Sequence, residues 1–178
     1  MKLADMRGLD SRAFGRAGST PVLGTMDNII EFIKTLCNVE AKEPCSDKPI
    51  LYLQTDRKDR RAGYFEPRTR YGIKTGCIWI YYYACPYTYV HEYGHYLSWK
   101  QGWSQEYKDL PPERDITEPK TQLNEQQKIT ILSEELKAWL LGYELLINNN
   151  ITFSRKGYFK AALLGLKGHF DKLGINIK

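Results

Sequence analysis

Residues 91–95 read His-Glu-Tyr-Gly-His, placing two of the chain's three histidines four positions apart with a glutamate directly after the first. On an α-helix, residues four apart lie one turn above each other on one face, so His91 and His95 can aim two imidazoles at one zinc ion. Glu92 turns about 100° away from His91, which leaves it beside the open position of the ion and not bound to it. A general base belongs there: zinc acidifies the water it holds, and a neighbouring carboxylate can take the proton as that water attacks a carbonyl. The competing reading is two ordinary histidines on an amphipathic helix. The order and spacing of H-E-x-x-H favour the metal when the motif stands on a helix.

The surrounding elements supply that helix. Pro86 ends an apolar strand, Thr88 can cap a helix starting near residue 89, and Gly102 can stop it. Three segments with strand character come before it, at 50–55, 62–69 and 76–83, separated by polar turns and predicting a small sheet of three or more strands. In the third, Ile78, Ile80 and Tyr82 alternate with Trp79, Tyr81 and Tyr83. The tyrosines between 81 and 96 read as a half-buried aromatic wall sooner than as a ligand box. An earlier amphipathic helix is expected where Ile29, Ile30, Ile33 and Leu36 recur behind Thr25 or Asp27 as the cap.

Past the motif, Pro111 and Pro112 forbid regular structure. A long helix over 124–147 then begins at Asn124, and a closing helix carries Phe159, Leu163, Leu166, Phe170 and Leu173 at spacings of three and four. Residues 1–24, rich in Gly, Arg and Ser, read as a loosely held arm before a single domain spanning 25–178.

With the H-E-x-x-H helix behind an apolar strand and "EELKAWLLGYELL" some forty residues on, the chain resembles the gluzincins, the zincin metallopeptidases with H-E-x-x-H plus a downstream glutamate. The resemblance implies an α+β, zincin-like domain: an N-terminal helix, the sheet, the H-E-x-x-H helix, a helix bearing the glutamate ligand and a C-terminal helix. It also implies that residues 77–83 form the sheet edge along which an extended peptide substrate lies. The metzincin branch is excluded, because Ser98 and Gln101 stand where it has glycine and a third histidine. The glutamate helix of gluzincins often reads E-x-x-A followed by an acidic or amide residue that buttresses a histidine. Glu135 and Ala138 match, but Trp139 departs and leaves that buttress unassigned.

Helix phase separates the three candidate third ligands. With Leu132 as origin, the large apolar residues of the long helix crowd an arc centred at about 20°, expected to face the core. Glu135 falls at about 300°, on the border of that arc beside Ala138 and Gly142. Glu134 falls at about 200°, opposite the arc, and Glu144 at about 120° among bulkier neighbours. The expected metal ligands are therefore His91, His95 and Glu135, with Glu92 as catalytic base and Zn²⁺ as cofactor. His169 reads as a helix-surface residue; it, Tyr143 and Tyr158 are weak candidates for steadying an oxyanion.

Composition limits the rest. A chain of 178 residues with 42% hydrophobic content supports one core. Lacking both a long apolar run and a signal-peptide pattern, it reads as a cytoplasmic protein without membrane association. Cys37, Cys45, Cys77 and Cys85 form no C-x-x-C clip, which favours free thiols. Net charge is +5, with its sharpest concentration in the basic segment 57–74 and the aspartate before it, where Arg57, Lys58, Arg60, Arg61, Arg68, Arg70 and Lys74 outnumber Asp56, Asp59 and Glu66. The expected activity is zinc-dependent hydrolysis of a peptide or protein substrate. Two alternatives are a zinc protease guided to nucleic acid by that basic segment, and a catalytically silent zincin-like binding module.

Overall fold

The computed structural model describes residues 23–40, 47–55, 62–70, 72–81, 83–110 and 123–175. The expected N-terminal arm, most of the basic cluster (Arg57, Lys58, Arg60 and Arg61), the Pro111–Pro112 connector, Cys45 and Tyr82 lie outside them. Helix α1 (Leu23–Leu36) is followed by the short strand β1 (Asn38–Val39), β2 (Ile50–Gln54), β3 (Gly63–Glu66), a two-residue pair β4 (Thr69–Arg70) and β5 (Ile73–Lys74), and β6 (Cys77–Tyr81). Then come α2 (Pro86–Gln101), α3 (Gln105–Lys108), α4 (Glu125–Asn148) and α5 (Arg155–Lys172). The protein mixes helices with a four-stranded sheet in the order β1-β2-β6-β3, and β4 and β5 form a second, two-stranded sheet.

In the larger sheet β1, β2 and β6 run parallel, and β3 pairs antiparallel with β6. Strand β6 thus lies inside the sheet, hydrogen-bonded on both sides, and residues 77–83 are not the edge expected from the sequence. The edge next to β6 is β3. The physical reason is visible in β6 itself: Cys77, Ile78, Ile80 and Tyr81 are buried, and a strand this apolar gains most from neighbours on both sides. Across the other face Trp79 stacks between its register partners Tyr52 and Tyr64, with ring centroids 4.2 and 5.8 Å away. These cross-strand aromatic pairs pin the pairing of β2, β6 and β3.

Helix α1 starts two residues before Thr25, so neither Thr25 nor Asp27 is its cap. Helix α2 starts at Pro86, earlier than expected, with Cys85 in extended conformation as the capping residue. Proline suits this first helical position: its φ is already helical and the amide hydrogen it lacks would have no partner there. Gly102 ends the helix with φ 101°, a conformation that costs other residues strain. Asn124 caps α4 through a reciprocal pair, its side chain accepting from the Gln127 amide at 2.8 Å while Gln127 Oε1 accepts from the Asn124 amide at 2.9 Å.

Helix α2 is the centre of the structure. It packs on α1, β3 and β6 and most extensively on α4. Most of its residues are buried, including both histidines, Glu92 and Ser98, and the tyrosines of the expected half-buried wall (Tyr87, Tyr89, Tyr93, Tyr96) belong to the core. Two small residues make the α2–α4 crossing close. A Cβ on Gly94 would stand 2.0 Å from the Ala138 carbonyl oxygen, and one on Gly142 would stand 2.8 Å from Val90 Cγ1. The Gly94 obstacle is backbone, which no rotamer change relieves, so Gly94→Ala should destabilise the protein by about 3 kcal/mol or more. Urea unfolding of the variant checks this; an unchanged midpoint would mean that the helices stand further apart.

That crossing turns α4 by about 100° from the phase expected. Its buried face is Ile131, Glu134, Glu135, Ala138, Trp139, Gly142 and Leu146, while Ile129, Leu136, Leu140 and Ile147 are exposed. Glu134 is thus buried, contrary to its expected place opposite the core. Ser98 Oγ donates to Glu134 Oε2 at 2.7 Å, so α2 brings a partner to the inward carboxylate. The same correction applies to α5, where Tyr158 and Ala162 are buried while Phe159 and Leu163 of the expected apolar stripe are exposed. Close packing against α4 selects the small residues: a Cβ on Gly165 would stand 3.1 Å from the Trp139 ring.

Candidate metal centre

Each metal-ligand candidate reaches one point from a different direction. His91 and His95 project from successive turns of α2, and the α2–α4 crossing at Gly94 and Ala138 carries Glu135 to them. His91 Nε2 lies 3.2 Å from His95 Nε2 and 3.2 Å from Glu135 Oε2, and His95 Nε2 lies 3.5 Å from the same oxygen. Ligand atoms arranged tetrahedrally at about 2.0–2.1 Å from a zinc ion would stand roughly 3.3 Å apart, which all three separations approach. Among the described residues this is the group of histidine, cysteine and acidic side chains that can hold a metal ion.

Two orphaned atoms add to the fit. Glu135 Oε2 is buried with no hydrogen-bond partner among the described residues: the imidazole nitrogens are near it without the alignment of hydrogen bonds. A buried carboxylate oxygen left in this way is costly unless a cation is to meet it. His91 Nδ1 is buried and also without a partner among the described residues, so it lacks the hydrogen bond that usually backs an imidazole holding a metal ion. Trp139, at the position where the sequence leaves the buttress unassigned, instead lays its ring against His91 at 4.2 Å between centroids and 20° between planes.

Burial, and then the neighbouring His95, pull the His91 imidazole down from its ordinary value of 6.5 to about 4, against an opposing pull from Glu135. For Glu135, burial alone would raise the carboxyl, but the imidazoles of His95, His91 and His169 outweigh it and hold the group well below the usual carboxylate range. At neutral pH His91 is therefore neutral and Glu135 ionised, the forms that bind a metal ion. A stability effect follows for metal-free protein. Below pH 6.5 the unfolded chain takes up a proton on His91 that the folded chain refuses until about pH 4, so stability falls as pH drops through that window. The full effect is on the order of 3 kcal/mol. Urea midpoints of chelator-treated protein at pH 7, 5.5 and 4 should decline in that order, and a flat series would contradict the burial of a neutral His91.

Glu92, next after His91 in the sequence, is buried on α2. A Cβ on Gly63 of the edge strand β3 would stand 3.1 Å from Glu92 Cγ, so the carboxylate stem runs directly beside the sheet edge. The closeness of His169 to Glu135 is the feature of the site that sequence reasoning misses. Expected on the helix surface, His169 is carried by α5 to where its Nε2 stands 3.3 Å from Glu135 Oε2, outside the mutually close ligand group. No local signal marks it, since it lies on a different helix far downstream of His95. Of the two tyrosine candidates for an oxyanion role, Tyr158 is buried and donates its hydroxyl to the Trp139 carbonyl at 2.6 Å. Tyr143 packs among Phe153, Tyr158 and Phe159.

Two cations of the basic segment have structural partners. Arg68 pairs with Glu66 at 2.9 Å, and Lys74 donates to the Trp99 carbonyl near the end of α2 at 3.1 Å while lying over the Trp99 ring. Cys37, Cys77 and Cys85 are free thiols, and no helix among the described residues is long and apolar enough to cross a membrane. No protein-family model, curated protein or solved structure matches this chain.

Proposed function

We propose that the protein is a zinc-dependent peptidase of the gluzincin kind, with His91, His95 and Glu135 as ligands and Glu92 as general base. The observation that carries this reading is the convergence of two imidazole nitrogens and one carboxylate oxygen, each 3.2–3.5 Å from the others, on the helix that also bears Glu92. Three protein ligands leave a tetrahedral ion one open position, the feature that separates catalytic from structural zinc. When bound, the ion supplies Lewis acidity toward water and a substrate carbonyl.

The chain's own groups do the remaining work. Among the described residues β3 ends the strand order β1-β2-β6-β3, the position at which an extended peptide adds to a sheet as a further strand. Gly63 in that strand adjoins Glu92, so a peptide lying along β3 passes the base. The Glu92 carboxylate accepts a proton from the attacking water and returns it to the departing amine, which balances the hydrolysis. Packing of α2 against α1, β3, β6 and α4 keeps the base and the histidines in one geometry without relying on loops.

The test is incubation of the purified, zinc-reconstituted protein with a mixture of unstructured peptides, with and without chelator, followed by mass spectrometry. New termini that appear with zinc and vanish with chelator are expected. Intact peptides from a protein that carries one equivalent of zinc would leave a binding module as the better reading.

A further inference from the structure

Metal-binding histidines are normally held by a hydrogen bond on the ring nitrogen that faces away from the ion. Among the described residues His91 has none, although its Nδ1 is buried. What the ring does have is the Trp139 indole, parallel to it within 20° at 4.2 Å. We propose that Trp139 is a positioning residue for His91, and that stacking on the indole takes the place of the missing hydrogen bond and sets the affinity of the site for its metal ion. The inference rests on the metal reading above.

Two observations and one general property of indoles support it. The indole is itself fixed from behind: Tyr158 meets it edge-on at 5.5 Å, Tyr158 Oη bonds the Trp139 carbonyl, and Gly165 lets α5 press on its six-membered ring. A flat wall held this way blocks rotation of the imidazole about its ring bond, leaving Nε2 directed at Glu135. Trp139 Nε1 is buried without a hydrogen-bond partner among the described residues, so the indole is not placed there for its N–H. Lastly, an imidazole that gives electron density to a cation becomes electron-poor, and the face of an indole is the best aromatic surface for it. Phenylalanine can supply a weaker form of the same face, whereas leucine fills space without one.

Zinc affinity, measured by competition with a chromophoric chelator, separates these roles in wild type, Trp139→Phe and Trp139→Leu. Trp139→Phe should stay within a few-fold of wild type, and Trp139→Leu should bind about 10–100-fold more weakly, the range typical for losing the group that orients a ligand. A direct signature accompanies this: zinc added to the metal-free protein should change tryptophan emission in wild type, and the change should disappear in Trp139→Phe while Trp79, Trp99 and Trp103 remain. Equal affinity in wild type and Trp139→Leu overturns the inference and leaves the metal site standing. An equal loss in Phe and Leu assigns Trp139 to packing alone and likewise overturns it. Failure of wild type to take up zinc removes the metal reading and this inference together.

Discussion

Glu92→Gln should lower peptide hydrolysis by roughly 10²–10⁴-fold, the range general-base catalysis supplies, while zinc content stays at about one equivalent. The amide keeps the size of the side chain and so the packing beside Gly63, where a larger group would press on β3. It cannot accept a proton from water. Both readouts are needed: peptide turnover by mass spectrometry, and metal by elemental analysis of the same sample. If metal and activity are lost together, Glu92 is a ligand or a structural group, and the division of labour among His91, Glu92 and His95 has to be redrawn.

For the metal itself the largest effect should come from Glu135→Ala, which ought to weaken zinc binding by more than roughly a hundredfold, beyond the usual cost of losing a group that only orients a ligand. Its oxygen lies 3.2 and 3.5 Å from the two Nε2 atoms, and no other carboxylate among the described residues shares that point. The neighbouring Glu134→Ala is the informative control. Glu134 is buried too, but its carboxylate accepts from Ser98 and is not part of the ligand group. Its removal leaves the buried Ser98 hydroxyl without that acceptor, at a cost of about 1–3 kcal/mol in stability, with zinc affinity nearly unchanged. Urea unfolding and a zinc titration on the two variants distinguish these outcomes. Loss of metal from Glu134→Ala at intact fold would exchange the two assignments.

The H-E-x-x-H spacing, the helix that carries it and the caps at Asn124 and Gly102 are properties of short stretches, so one-dimensional reading reaches them. Local rules also bring out the three main strands, because β2, β3 and β6 are bounded by turn residues and built from β-branched and aromatic side chains. Helix phase separates Glu135 from Glu134, yet the phase itself is about 100° off. The apolar stripe through Ile129, Leu136, Leu140 and Ile147 is the most hydrophobic arc of α4 but stays exposed. Periodicity ranks faces by how apolar they are, whereas the crossing with α2 selects the face that lets two backbones approach.

Small residues at Gly94, Ala138 and Gly142 permit that approach, and only at that distance can a carboxylate from α4 meet imidazoles from α2. Burial of Glu134 then becomes tolerable because Ser98 arrives with the same crossing, while Glu135 is carried to within 3.5 Å of both His91 and His95. The arrival of His169 and the stacking of Trp139 on His91 are likewise products of tertiary packing. They depend on where α5 and α2 lie against α4, and no spacing along the chain encodes a contact made between helices.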